Sequence, residues 1–139
     1  MLHAEGRGVE RDQRRAAEWL LLAAEQGLAS AQHDLGLLAL RGAGAAPDPH
    51  EAERWLRAAA EQGLVRAQLR LGMLHATGVT GTTDDVRAYA WYTLAAAQGD
   101  ATASAMRAEL SKGMPLSRTA RGEALAREWS GRAGWPTAR

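Results

Sequence analysis

Residues 48–72 read Asp48-Pro49-His50-Glu51-Ala52-Glu53-Arg54-Trp55-Leu56-Arg57-Ala58-Ala59-Ala60-Glu61-Gln62-Gly63-Leu64-Val65-Arg66-Ala67-Gln68-Leu69-Arg70-Leu71-Gly72. Ala52, Trp55, Leu56, Ala59 and Ala60 fall at helical spacing on one face. Asp48 stands where an N-cap belongs, its carboxylate able to accept from free backbone N–H groups. Pro49 takes the first helical position, and Glu51, three residues past Asp48, makes a capping box. Gly63 closes the helix at a position that needs a left-handed residue, and a second amphipathic helix follows.

The same stretch occurs on either side of this one. Trp19, Trp55 and Trp91 lie 36 residues apart, as do Gly6, Gly42 and Gly78, and Asp12, Asp48 and Asp84. The offset also relates Ala16, Ala52 and Ala88; Ala23, Ala59 and Ala95; Ala24, Ala60 and Ala96; and Ala31, Ala67 and Ala103. It holds again for Gln26, Gln62 and Gln98 and for Gly27, Gly63 and Gly99. Nine triplets in one register are not a chance event, and they define tandem helix–turn–helix units. The spacing predicts helices over 12–26, 28–41, 48–62, 64–77, 84–98 and 100–112, and about 117–130. Small residues, the alanine pairs with Gly36 and Gly72, let neighbouring helices approach closely. A lone unit cannot bury both its apolar stripes, so the units stack.

Composition agrees. Alanine and leucine dominate, Phe is absent and the net charge is +1, which leaves no electrostatic footprint for nucleic acid or an anionic membrane surface. With no cysteine, a disulfide framework, a thiolate metal site and a Cys nucleophile are excluded. No apolar run reaches the roughly 18 to 20 residues of a membrane span. The start, Met1-Leu2-His3-Ala4-Glu5-Gly6, has no signal-peptide pattern. A soluble protein is expected, cytoplasmic or periplasmic.

The run Asp12…Ala16-x-x-Trp19-Leu20-x-x-Ala23-Ala24-x-Gln26-Gly27-x-Ala29-x-Ala31-Gln32-x-x-Leu35-Gly36 resembles the Sel1-like repeat, a relative of the tetratricopeptide repeat. The second copy matches through Ala52, Trp55, Ala59-Ala60, Gln62-Gly63, Ala67-Gln68 and Leu71-Gly72. The third matches through Ala88, Trp91-Tyr92, Ala95-Ala96 and Gln98-Gly99, then departs at Ser104, Arg107 and Ala108, as a terminal unit facing water should. Met114-Pro115-Leu116 through Trp129 is similar to the closing helix of such arrays. The resemblance implies an all-α fold: a right-handed α–α superhelix (solenoid) of 36-residue repeats over residues 1–130 with a C-terminal capping helix. Residues 131–139, with Trp135, are expected to form a flexible tail. Met1-Leu2-His3 aligns with Leu37-Leu38-Ala39 and Met73-Leu74-His75, the last turn of a packing helix. Either the sequence is cut from a longer array, the preferred reading, or the natural chain starts there.

The implied role is protein–protein interaction, as adaptor, scaffold or regulatory binding protein. The alternative is a structural segment of a longer bacterial envelope or multidomain scaffold. Penicillin-binding or β-lactamase-like activity, attributed to some cysteine-rich relatives, is a distant third. The single lysine, Lys112, is adjacent to Ser111, and Ser104 has Arg107 at the relevant spacing, so the Ser-x-x-Lys arrangement is absent. No enzyme, cofactor or metal site is expected. His3 and His75 share one repeat position two units apart, and with His33 and His50 they read as half-buried or surface imidazoles.

By analogy with the tetratricopeptide repeat, the second helix of each unit lines a concave groove. That groove would present Ser30, His33, Asp34, Leu37 and Arg41, then Arg66, Leu69, Arg70, Met73 and Thr77, then Thr102, Met106 and Glu109. Basic, aliphatic and methionine side chains together suit an acidic and apolar peptide or helix. Arg66, Arg70 and Met73, in the middle unit, form its centre. The repeat tryptophans read as core, with Trp55 the deepest. Leu21, equivalent to Arg57 and Thr93, is expected to be exposed. Leu20-Leu21-Leu22 either covers a missing helix or forms a self-association surface.

Overall fold

The computed structural model describes residues 2–42 and 46–133, with side chains described at 12 and from 14 onward. It contains α1 (Leu2–Glu25), α2 (Ala29–Arg41), α3 (Pro49–Glu61), α4 (Val65–Thr77), α5 (Asp85–Ala97), α6 (Ala101–Ser111) and α7 (Leu116–Ala133), with no strand among the described residues. Helices α1 to α6 each pack on the next, and α7 packs on α5. The result is an all-α repeat solenoid.

Caps set the helix boundaries. Asp48 Oδ1 accepts from Glu51 N at 3.1 Å and Asp84 Oδ1 from Arg87 N at 3.0 Å, each satisfying a donor at a helix start. Asp100 does the same for α6, accepting from Ala103 N at 2.9 Å. The box at α3 is only half formed. Glu51 turns its carboxylate to Trp55 Nε1, at 3.1 Å, and to Arg54, because the buried indole N–H needs an acceptor. At the other end, Gly63 has φ 90°. Its N–H reaches Ala60 O at 2.9 Å while Leu64 N reaches Ala59 O at 3.2 Å, a Schellman closure that a side chain at this φ would strain. Gly27 and Gly99 repeat that conformation.

The first copy departs from the expected boundaries. Gly42 and Gly78 end α2 and α4 in the left-handed region, but Gly6 lies inside α1, and Asp12 is an exposed residue within that helix, not its cap. In the later copies the loop is tied down by Asp48 N donating to Ala39 O and Asp84 N to His75 O, both at 2.8 Å. In the first copy the helix continues through Gly6 and Asp12, and its own hydrogen-bond ladder satisfies the backbone groups there.

Two clusters form the core. Trp55 packs with Ala24 and Ala31, flanked by Leu20, Ala23 and Leu35 from the preceding pair. Trp91 packs with Leu56, Leu71, Leu74 and Leu94, joined by Ala126 of α7. Trp19, expected in the core, is 70% exposed and joins neither core cluster. Trp91 at 5% lies slightly deeper than Trp55 at 8%, against the expected order. Trp129 accounts for the difference: its ring lies 4.5 Å from that of Trp91, centroid to centroid. Trp135 lies outside the described residues.

Gly36 and Gly72 admit side chains of the following helix. A Cβ at Gly36 would stand 2.8 Å from Leu56 Cγ, and one at Gly72 would stand 2.6 Å from Tyr92 Cε1. Gly122 of α7 receives Tyr89 in the same way, at 2.7 Å. Helix α6 faces water as a terminal unit should, with Ala103 its one buried residue. Its departure at Arg107 has a further use. Arg107 donates to Thr93 Oγ1 at 2.8 Å and to Glu123 at 3.1 Å, with its guanidinium 4.6 Å from the Tyr89 ring centroid. That side chain ties α6 to α5 and α7. Arg118 also pins α7 to Asp85 of α5, Nε to Oδ1 at 3.0 Å, and holds the Asp85 carboxyl below the usual carboxylate range.

Candidate partner-binding face

Helices α2, α4 and α6 carry the residues expected to meet a partner. Ser30, Asp34, Arg41, Arg66, Arg70, Thr77, Thr102 and Glu109 are exposed, and Leu37, Leu69, Met73 and Met106 are half-buried. His33 is the exception. It is 5% exposed, its Nδ1 lies 3.1 Å from Asp34 Oδ1, and its Nε2 has no partner among the described residues, so it cannot offer a face to a partner. One turn of helix explains the miss. Position 33 follows the buried Gln32 and precedes exposed Asp34, at the edge of the packing stripe, where burial depends on the neighbouring helix.

Some of the exposed groups are already engaged. Thr77 donates to Met73 O of its own helix at 2.8 Å, and Glu109 pairs with Lys112 at 3.0 Å. Arg41, Arg66 and Arg70 are different, having no hydrogen bond or ion pair among the described residues. On α3 and α5, by contrast, Arg54, Arg57 and Arg87 are each held by a carboxylate of their own helix or its cap. Asp34, Leu37, Arg41 and Arg70 come together around one cleft of about 520 Å³, with Leu20, Leu38 and Leu40 as its apolar lining. Arg66, Leu69, Met73 and Thr77 lie along the same helix as Arg70 but outside that cleft, and Met106 and Glu109, on α6, are outside it too.

Two further clefts, related by one repeat, were not read from the sequence. The first, about 430 Å³, is lined by Leu21, Leu35, Leu38, Ala39, Glu51 and Trp55. The second, about 450 Å³, has Arg57, His75, Arg87 and Trp91 at equivalent positions, with Trp129 and Arg132 of α7 on its far side. The constant tryptophan concealed them, since the variable positions 21/57, 39/75 and 51/87 belong to different helices and meet only in the fold. His75 was expected half-buried or at the surface but is 7% exposed. Burial pulls its imidazole pKa below the ordinary value, against the opposing influence of Glu53 and Asp84, and Nε2 has no partner among the described residues. His50 is exposed, and the side chain of His3 lies outside the described residues.

Leu21 and Leu22 are exposed, while Leu20 is half-buried against the Trp55 cluster and so belongs to the core's margin as much as to the edge. Among the described residues no three His, Asp or Glu side chains gather to hold a metal ion, and no helix is long and apolar enough to cross a membrane.

The family model of the Sel1 repeat matches residues 1–28, 29–64 and 65–100. Among solved structures, the chain is similar to c5321, a protective antigen present in uropathogenic Escherichia coli strains that displays an SLR fold, with 31% identity and a TM-score of 0.82. That match covers 87% of this chain and 26% of the other, so the chain spans about a quarter of that protein's length. It is also similar to a Sel1 repeat protein from Oxalobacter formigenes, with 37% identity, a TM-score of 0.65 and coverage of 86% and 89%. No curated protein matches the sequence.

Proposed function

Because this chain belongs to the Sel1 repeat family, whose members generally mediate protein–protein interaction, we propose that it binds a protein partner on the face formed by α2, α4 and α6. The observation that supports this reading is the unpaired state of Arg41, Arg66 and Arg70 on that face, set beside paired arginines on α3 and α5. Guanidinium groups without a carboxylate are available to a partner without first breaking a contact. The role is that of an adaptor, scaffold or regulatory binding protein, without catalysis.

The test is co-purification from the host followed by calorimetry with the captured partner. Arg66→Glu with Arg70→Glu should weaken binding by at least about 2 kcal/mol, the scale of an interface hot spot, without lowering the melting temperature appreciably. A matched double reversal at Glu53 and Arg57, on α3, should leave binding intact. If the α3 change abolishes binding and the α4 change does not, the face is assigned wrongly.

A second reading, a segment of a longer scaffold, draws on Trp19. Its equivalents Trp55 and Trp91 are each covered by a preceding pair of helices, so the exposed Trp19 face has the form of a stacking surface. With Leu21 and Leu22 beside it, the same face would support self-association. Sedimentation at high concentration tests this: Leu21→Glu should reduce association, and a strictly monomeric wild type removes the motive.

A further inference from the structure

We infer that the cleft shared by Arg41 and Arg70 takes a protein segment presenting one carboxylate beside an aliphatic side chain. The inference rests on the proposed binding face and names the chemistry of what binds there. Arg41 comes from the end of α2 and Arg70 from the middle of α4, so two arginines with no ion pair among the described residues line a single space. Any segment that fills the cleft takes these groups out of water. A segment without an anion would leave them desolvated and uncompensated, whereas a carboxylate supplies the acceptor and the opposite charge.

The remainder of the lining sets the second requirement. Leu20, Leu37, Leu38 and Leu40 provide an apolar surface next to the arginines, and at about 520 Å³ the space suits a few side chains, not a folded domain. Asp34 is the one acidic residue of the lining, its Oδ1 3.1 Å from His33 Nδ1.

The fold does not require this pair. One repeat later, positions 41 and 70 become Thr77 and Met106, which carry no charge. Arginines at both positions therefore occur once in the repeat register, at the cleft lined by α2 and α4. A chemistry that appears at one junction of a repetitive scaffold is what specificity for one partner looks like.

The experiment uses fluorescence anisotropy with three fluorescein-labelled peptides in a glycine–serine background. One carries a glutamate followed by two leucines and an amidated C-terminus, one replaces that glutamate with glutamine, and one ends in two leucines with a free C-terminal carboxylate. At low salt at least one carboxylate peptide should bind about tenfold or more tighter than the glutamine peptide, and which one does so tells a side-chain carboxylate from a chain terminus. Arg41→Gln with Arg70→Gln should bring the carboxylate and glutamine peptides within about twofold of each other. Equal binding of carboxylate and neutral peptides by the wild type overturns the inference. If Leu37→Ser then weakens them all, the face still binds protein and only the acidic preference has failed. Binding by none of the three also overturns the inference, and leaves the broader reading to its own co-purification test.

Discussion

Gln98 donates its side-chain amide to Oε1 of Gln68 across 2.7 Å, and one repeat earlier Gln62 donates to Oε1 of Gln32 across 2.8 Å. Each acceptor glutamine in turn donates to a carbonyl near the end of the preceding helix, Gln68 to Ala60 at 3.2 Å and Gln32 to Ala24 at 3.1 Å. These side-chain amides, of which Gln32 and Gln68 are buried, connect the end of one unit to the end of the next. The chain of contacts stops where Ser104 replaces the third glutamine, at the helix that faces water. Gln68→Leu keeps the volume but leaves the Gln98 amide without that acceptor, and should cost about 1–3 kcal/mol in urea unfolding. Gln26→Leu, at an exposed position, should change stability by less than about 0.5 kcal/mol. Equal effects at the two sites would mean that the inter-unit bond adds nothing.

The glycine notches make a second expectation. Gly72→Ala drives a methyl group into the Tyr92 ring, 2.6 Å away, and Tyr92 is itself fully buried. Overpacking of this kind should cost about 1–3 kcal/mol. Gly131, inside α7, has open space for 4 Å around the point where an alanine methyl would stand, so Gly131→Ala should instead stabilise by up to about 1 kcal/mol through helix propensity. Thermal melts of the two variants should shift in opposite directions. A shared direction would show that helix propensity and not the notch decides both.

The tryptophans separate by what covers them. Trp91→Ala should destabilise by about 3–5 kcal/mol, and Trp19→Ala by less than about 0.5 kcal/mol. Acrylamide should quench a variant retaining only Trp19 much more strongly than one retaining only Trp91. Similar quenching would mean that the Trp19 face is covered in solution, which is itself the signature of self-association.

The contrast between Trp19 and Trp91 also marks how far the sequence could be read. Periodicity reports which face of a helix is apolar, and on that ground the helices, the caps at Asp48 and Asp84, the turn at Gly63 and the close approach at Gly36 and Gly72 were all legible. It does not report whether a neighbour covers that face or where a helix starts, and Trp19 is exposed while α1 runs through Gly6 and Asp12. Helix α7 follows no repeat register, so Trp129 against Trp91 and Arg107 between Thr93 and Glu123 could not be foreseen from the 36-residue offset. On the candidate face, exposure of Arg41, Arg66 and Arg70 followed from helical phase. Their unpaired state and the cleft shared by Arg41 and Arg70 depend on the juxtaposition of α2 and α4.

His75 should make the protein less stable as the pH falls below neutrality. It sits at the end of α4, with Arg57 and Glu53 of α3 and Asp84 and Arg87 at the start of α5 as its charged neighbours. Burial outweighs the two carboxylates, so the folded-state pKa lies below the ordinary histidine value of 6.5. The unfolded chain, with His75 in water, then binds the proton at a higher pH than the folded chain does. By linkage the contribution is fully present above about pH 6.5 and is lost as the pH falls through the folded-state value, with a slope of at most about 1.4 kcal/mol per pH unit. The Asp85 carboxyl also favours higher pH, being lowered from 3.8 by Arg118, but its window lies below that value and does not overlap. His75→Ala is a reasonable probe because the register-equivalent residue of α2 is Ala39. Urea unfolding between pH 7.5 and pH 5 should show the wild type losing stability more steeply than this variant. Parallel curves would place the responsible titration elsewhere and remove His75 from the account.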